Sequence, residues 1–286
     1  MQKIKVAIIG TGNIGIDLLM KINRTPYMDL VAFVGRNENS KGIGIAKSLG
    51  IRTSCDQIDF FIQNKNICDV VYDCTSSDSA KVNAKVFSDQ GIKVVDLTPS
   101  KVGVLCVPSI NNDVFMFGNI NMITCGGQAS LPLLNVVSNC SDSVEYIEIV
   151  SQIASKSAGM ATRINIDSYI HTTEEAIRKF TTCSDCKVIL NLNPAEPCVN
   201  MQTTMFIKAT NINYYKMMKE IENRVEEIRT YVPYYELIIP PTLNDEQILI
   251  LSVRVKGLGD YLPSYAGNLD IINAAAIKAT ESFFGE

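Results

Sequence analysis

The sequence predicts an α/β fold: a doubly wound parallel sheet, followed by a second α+β domain with a mainly antiparallel sheet. Three observations carry this. A glycine-rich turn, Gly10-Thr11-Gly12-Asn13-Ile14-Gly15, lies between a β-branched run and a stretch of helical apolar spacing. Strand-like and helix-like segments alternate as far as Ile123, as parallel βαβ units do. Beyond residue 143, strand candidates follow one another with few helices between them, the pattern of an antiparallel sheet.

Lys3 to Ile9 is the opening strand, and Asp17 to Ile22 has helical spacing. The turn between them therefore sits where a dinucleotide fingerprint requires it. Gly10 permits the tight turn, Gly12 lets backbone approach a pyrophosphate, and Gly15 allows close helix–strand packing. Thr11, Asn13 and Ile14 complete the loop. This marks a Rossmann domain that binds NAD or NADP; the bland alternative is a glycine turn in such a domain that binds nothing. Leu30 to Val34 is the second strand. An acid often stands at its end to hold the ribose 2′-hydroxyl, but here the chain reads Gly35-Arg36-Asn37-Glu38. Arg36 suits a 2′-phosphate or stacking on adenine, and equally a solvated loop. NAD is expected, with NADP possible.

Asp69 to Asp73 is a third strand, ending in Cys74-Thr75-Ser76-Ser77, small polar residues of the kind that line a nucleotide cleft. The helix Ser79 to Ser88 and the strands Lys93 to Asp96, Val104 to Val107 and Ile120 to Ile123 complete the sheet. In the second half, strands are expected near 144–153, 187–192, 201–209, 235–239 and 247–255. Helices are expected over 166–180, 213–230 and 269–283. The boundaries read as 1–125 for the dinucleotide-binding domain, completed by a C-terminal helix at 266–286, and 126–265 for a catalytic and dimerisation domain.

The chain has 286 residues, 47% of them hydrophobic, which is ample for two cores. Net charge is −4, with no basic block, so no nucleic-acid partner is expected. The apolar run at the N-terminus is only a strand long, so neither an export signal nor a membrane span is expected. Nine scattered cysteines then read as reduced thiols of a cytoplasmic protein, and Cys183-Ser-Asp-Cys186 as an incidental loop pair. No metal site is expected.

One stretch carries the chemistry: Thr124-Cys125-Gly126-Gly127-Gln128, a cysteine delivered by a strand to the start of a helix-like segment, Ala129 to Val137. Unpaired backbone N–H groups and the positive helix end are expected to lower the thiol's pKa. The N–H groups of Gly126, Gly127 and Gln128 are candidate donors for an oxyanion. Cys125 is read as the nucleophile toward a carbonyl, because a thiolate attacks strongly and then leaves well. The alternative, a buried core thiol, fits poorly with two adjacent glycines.

The motifs GTGNIGIDL, VDLTPS, NMITCGGQASLP, SKSAGMATRINID, NPAEP, YVP and YLPSYAGNLDI together span nearly the whole chain. In them the chain resembles the acylating acetaldehyde dehydrogenases, bacterial enzymes that convert acetaldehyde, NAD and coenzyme A into acetyl-CoA. The resemblance implies a Rossmann domain plus a mixed domain that also makes a homodimer, an arrangement like that of glyceraldehyde-3-phosphate dehydrogenase. It implies a 4-hydroxy-2-oxo acid aldolase as possible partner, and a short aldehyde and coenzyme A as substrates. Cys125 matches the family nucleophile, and Thr11 to Ile14 the pyrophosphate loop. Ser157, Ala158, Gly159, Met160, Ala161, Thr162, Arg163, Ile164 and Asn165 match a second cofactor-contacting loop. Asn268 matches an asparagine that binds the nicotinamide carboxamide, a role its donor and acceptor suit.

Two departures stand out. Met160 and Ala161 replace a proline and a glycine of the family loop. After NPAEP the family continues M-R-D-T, with a base or thiol-positioning role for the aspartate, whereas this chain reads Met201-Gln202-Thr203-Thr204. Either the helix end alone activates the thiol, or another acid such as Glu196 substitutes, or turnover is impaired. The sole histidine, His171, lies mid-helix and matches no family role. Two rival readings remain: a phosphorylating semialdehyde dehydrogenase, and a catalytically weakened NAD(H)-binding subunit of an aldolase complex.

Overall fold

The computed structural model describes residues 3–284, with the side chains of residues 117, 161, 283 and 284 outside the described set. The chain forms two compact units. One runs to Cys106 and takes in Asn112–Met122 and the chain from Ala276 onward. The other holds Val107–Asn111 and Ile123–Ala275.

The first unit begins with β1 (Ile4–Ile9), α1 (Asn13–Asn23), β2 (Met28–Val34), α2 (Lys41–Ser48), β3 (Thr53–Ser54) and α3 (Ile58–Gln63). It continues with β4 (Val70–Asp73), α4 (Ser77–Asp89), β5 (Lys93–Asp96) and β6 (Val104–Leu105). The short α5 (Pro108–Asn111) belongs to the second unit, and β7 (Ile120–Asn121) to the first. The strands form one parallel sheet in the order β3-β2-β1-β4-β5-β7-β6. A parallel sheet covered on both faces needs unbroken apolar strands. β1 supplies one, with Val6, Ala7 and Ile8 fully buried. Phe60 and Phe61 from α3 and Phe87 from α4 pack edge to face, with centroids 5.3 and 5.0 Å apart.

The second unit holds α6 (Cys125–Asn139), β8 (Ser143–Ala154), α7 (Met160–Ile164), α8 (Ile166–Phe180), β9 (Cys186–Asn193) and β10 (Met201–Thr210). It continues with α9 (Tyr214–Arg229), β11 (Tyr235–Leu243), β12 (Leu249–Val255) and the first half of α10 (Gly267–Phe284). Its five strands run in the order β11-β12-β10-β8-β9. Every pairing is antiparallel except β8 with β9. Side chains alternate across a strand. One face of β8 and β10 is accordingly buried, through Ile147, Ile149, Ile153, Met201, Met205 and Ile207. Helices α6, α8 and α9 pack in this unit.

The division between the units falls before Ile123, whereas the break expected from the sequence follows residue 125. The second unit begins at Ile123 and contains Cys125. Nearly all of α6 is buried, and it packs on β8, β10, α8 and α9, so its first residue goes with them. The closing helix does not belong whole to the first unit, which takes only its residues from Ala276. There Tyr72 donates to Thr280 Oγ1 at 2.9 Å. Helices α2 and α3 escaped the sequence reading because each is short. Two glycines also weaken the helix signal of α2, whose start Ser40 caps by accepting from Ile43 N–H at 3.3 Å.

Candidate active site

β7 is shorter than the apolar run 120–123 suggests. Ile123 leaves the strand with φ +66°, a left-handed conformation that costs a β-branched residue roughly 1–2 kcal/mol. That turn aims the chain into α6. Thr124 caps the helix, its Oγ1 accepting from Gly127 N–H at 2.9 Å. Cys125 is the first helical residue and is partly exposed. A Cβ on Gly127 would meet Ile123 Cγ2 at 2.8 Å. A Cβ on Gly126 would lie 2.2 Å from Tyr169 Oη and 2.6 Å from Ser151 Oγ. Both glycines are needed because the helix mouth is already filled.

Hydroxyl groups fill it. Tyr169 Oη lies 3.8 Å from Cys125 Sγ and accepts from Gly126 N–H at 3.0 Å. Ser151 Oγ and Thr203 Oγ1, paired across β8 and β10, are 3.1 Å apart. Thr124 Oγ1 and Thr173 Oγ1 are 2.8 Å apart. Ser252 donates to the Thr203 carbonyl at 3.3 Å. Ser151, Thr173, Thr203 and Ser252 are fully buried.

The electrostatics run against the sequence expectation. Burial pushes the Cys125 thiol up to about 11, against the pull of the Tyr169 hydroxyl and of the Gly126 and Cys125 N–H groups. Burial also holds Tyr169 well above the ordinary tyrosine range, with the neighbouring Cys125 adding to it. In this structure the thiol is therefore protonated at neutral pH. The helix end works in the expected direction, but desolvation outweighs it.

The oxyanion expectation also changes. The Gly126 N–H donates to Tyr169, the Gly127 N–H to Thr124 Oγ1, and the Gln128 N–H to the Thr124 carbonyl at 2.9 Å. All three donors already have partners inside the fold. Glu196 is largely exposed and ion-paired with Lys156. The His171 imidazole is 69% exposed and 3.8 Å from Glu174, on the solvent side of α8.

The second loop is built as a short helical turn. Ser157 is buried and donates to the Ala154 carbonyl at 2.8 Å. Arg163 staples the loop to itself through the Ala158 carbonyl at 3.3 Å, the Ser155 carbonyl at 2.8 Å and Ser155 Oγ at 2.9 Å. Met160 and Ile164 point largely to solvent. Gly159, Thr162 and Asn165 lie in and beside this turn, while the Ala161 side chain lies outside the described set. Asn268, in the first turn of α10, is buried, and its Oδ1 has no hydrogen-bond partner among the described residues. An orphaned buried amide oxygen suits a ligand that donates, as a carboxamide does.

In the first unit, the 10–15 turn is tightly packed at Gly10 and Gly15 and open at Gly12. Gly10 has φ +111°, and a Cβ there would meet the Cys74 backbone at 2.5 Å. A Cβ on Gly15 would lie 2.0 Å from the Gly10 carbonyl. A Cβ on Gly12 meets nothing within 4 Å, and no side chain caps the start of α1. Arg36 is exposed just past β2. Glu38 is not available to a ribose, being engaged by Lys47 and by Cys55 Sγ at 3.1 Å. Thr75 and Ser76 serve the local turn, donating to Asp73 and capping α4.

Residues 125–263 match the family described as prokaryotic acetaldehyde dehydrogenase, dimerisation. Residues 5–116 match semialdehyde dehydrogenase, NAD binding domain. An acetaldehyde dehydrogenase of Spirochaeta aurantia is 48% identical over 99% of this chain and 95% of its own. The chain belongs to the acetaldehyde dehydrogenase family. One from Pectobacterium atrosepticum is 46% identical over 98% of this chain and 95% of its own. The crystal structure of aspartate semialdehyde dehydrogenase II from Vibrio cholerae aligns with TM-score 0.67, covering 100% of this chain and 99% of that one. At 13% identity that likeness shows the fold alone. The chain is thus an aldehyde dehydrogenase with an NAD-binding domain and a domain of the family's dimerisation type. No described helix is long and apolar enough to cross a membrane.

The sequence reading missed Tyr169, Ser151 and Thr173. A signal was present. Ser151 and Thr203 interrupt otherwise apolar inward positions of β8 and β10, and Tyr169 and Thr173 lie on the buried face of α8. Buried hydroxyls on apolar faces call for partners.

Proposed function

We propose that this dehydrogenase oxidises acetaldehyde, or another short aldehyde, with NAD and coenzyme A to the acyl-CoA. The observation that carries the reading is Cys125, partly exposed at the mouth of a buried helix with a hydroxyl beside its sulfur. The sulfur attacks the aldehyde carbon, and the carbonyl oxygen becomes the thiohemiacetal oxygen. Loss of hydride from that carbon and of the oxygen-bound proton leaves a cysteinyl thioester. NAD, when bound, is the hydride acceptor. The thiol of coenzyme A then attacks the thioester carbonyl, the bond to Cys125 breaks, and the sulfur regains its proton from the incoming thiol.

The residues present fit NAD. The open face at Gly12 and the uncapped start of α1 suit a pyrophosphate. The unpartnered Asn268 Oδ1 suits a carboxamide. Residues 157–165 are assigned to the same cofactor on the family resemblance. The open face of the second sheet supports a homodimer, in keeping with the family's dimerisation domain. A shallow apolar groove of about 330 Å³ lies there between Tyr146, Glu148, Phe206, Lys208 and Ile248. An aldolase that releases a short aldehyde is the reaction class that would feed the site.

The test is NADH formation from acetaldehyde with coenzyme A, with phosphate, and with neither. Sustained turnover is expected with coenzyme A only. Cys125→Ser should lower kcat by about a thousandfold or more while NAD still binds. A requirement for phosphate would favour a phosphorylating enzyme instead. Cofactor binding without turnover under any condition would overturn the proposal.

A further inference from the structure

The family resemblance places an acid where this chain has Thr203, and the structure shows what surrounds that position. Thr203 Oγ1 pairs with Ser151 Oγ at 3.1 Å. Ser151 Oγ also reaches the Tyr169 hydroxyl. Tyr169 Oη in turn lies beside Cys125 Sγ, at 3.8 Å. A line of neutral hydroxyls therefore runs from position 203 to the sulfur.

We propose that Tyr169 is a catalytic residue, its hydroxyl donating to the Cys125 sulfur and stabilising the thiolate in place of the acid missing at position 203. This rests on the reading of Cys125 as nucleophile. The proton inventory supports it. Thr173 Oγ1 donates to the Tyr169 carbonyl at 2.7 Å, so in the Thr124–Thr173 pair it is Thr124 that donates. Thr124 Oγ1 in turn accepts from Gly127 N–H. Thr124 also reaches the Tyr169 hydroxyl, so it stands with Ser151 among the donors around that oxygen. Tyr169 Oη already accepts from Gly126 N–H, and Ser151 can add a second donor. With its lone pairs occupied, the tyrosine's single proton is left for the sulfur.

Charge gives a second reason. A carboxylate near the thiol can accept its proton but repels the thiolate that forms, whereas a neutral donor favours the anion itself. Among the described residues, Tyr169 is the titratable side chain that acts on Cys125, and Cys125 the one that acts on Tyr169. Gly126 completes the arrangement, since any side chain there would displace both Tyr169 Oη and Ser151 Oγ.

The test is Tyr169→Phe, which keeps the ring and removes the hydroxyl. The pH dependence of iodoacetamide alkylation at Cys125, followed by peptide mass spectrometry, should move up by about one pH unit, and kcat/KM for acetaldehyde should fall about ten- to a hundredfold. The KM for NAD should stay put. Ser151→Ala, which removes a donor to the tyrosine, should move the alkylation profile the same way by less, and it carries the test if the first variant does not fold. Thr203→Asp should raise the rate more in the Tyr169→Phe background than in the parent chain. An unchanged alkylation profile and kcat/KM in a folded Tyr169→Phe enzyme would overturn the proposal while Cys125→Ser stays inactive. Activity retained in Cys125→Ser would instead remove the nucleophile reading itself.

Discussion

The molecule has two glycine turns at strand-to-helix junctions, one in each unit, and they are built for opposite purposes. At residues 10–15 the glycines let backbone meet backbone, and Gly12 is left open with no capping side chain at α1. At residues 126–127 the glycines make room for Tyr169, Ser151, Thr124 and Ile123, and Thr124 caps α6. An open helix start offers several N–H groups to an anion brought in from solution. A filled start spends those N–H groups on the protein's own oxygens and on one sulfur. The buried polar groups differ too. The first unit buries the carboxyls of Asp73 and Asp96 at strand ends, while hydroxyls surround Cys125.

The largest effect is expected at the filled turn. Gly126→Ala would bring a methyl within 2.2 Å of Tyr169 Oη. Overpacking of this kind costs about 1–3 kcal/mol, and we expect a lower melting temperature and a loss of kcat/KM of about a hundredfold. An active Gly126→Ala enzyme would break the comparison. At the open turn, a Gly12→Ala methyl meets nothing within 4 Å. Its melting temperature without cofactor should be unchanged, while the KM for NAD rises about tenfold, or ~1.4 kcal/mol. Equal losses of stability in both variants would erase the distinction between the turns.

The contrast in buried groups is tested by pH. Burial, with neighbouring Asp73 adding to it, pushes the Asp96 carboxyl up to about 7, although Ser100, Thr98 and Asn121 donate to it. An acid with a raised folded-state pKa binds more protons folded than unfolded. Its contribution is therefore full below the unfolded value of about 3.9 and is lost as pH rises to about 7. Asp96→Asn cannot ionise, so its melting temperature should fall less than the parent's between about pH 5 and about pH 7.5. Parallel curves would show that Asp96 is already ionised when folded. The smallest effect is expected at exposed Arg36, where Arg36→Ala should lower the NADP/NAD ratio of kcat/KM by about two- to fivefold. An unchanged ratio would rule out a 2′-phosphate role.

Local patterns made much of this legible from sequence. Periodicity marked the strands of both sheets, and the 10–15 turn announced itself because its glycines lie between a strand and a helix. Cys125 was legible for the same reason. The short helices α2 and α3 were not, since one turn or two carries little periodic signal. Nor was the burial that dominates the thiol, because desolvation depends on everything packed around a group and on no single stretch of chain.

What the sequence by itself determined is the pair of strand–turn–helix junctions, one at the glycine-rich turn of residues 10–15 and one at Cys125, the proposed nucleophile. Their glycines answer to local geometry. What only the tertiary structure decided is the company Cys125 keeps. Tyr169 is 44 residues from the cysteine, and Ser151 is 52 residues from Thr203. Whether these hydroxyls meet is fixed by the register of β8 on β10 and by the packing of α8 against α6. A threonine that reads in sequence as a missing acid becomes, once folded, the far end of a line of hydroxyls leading to the sulfur.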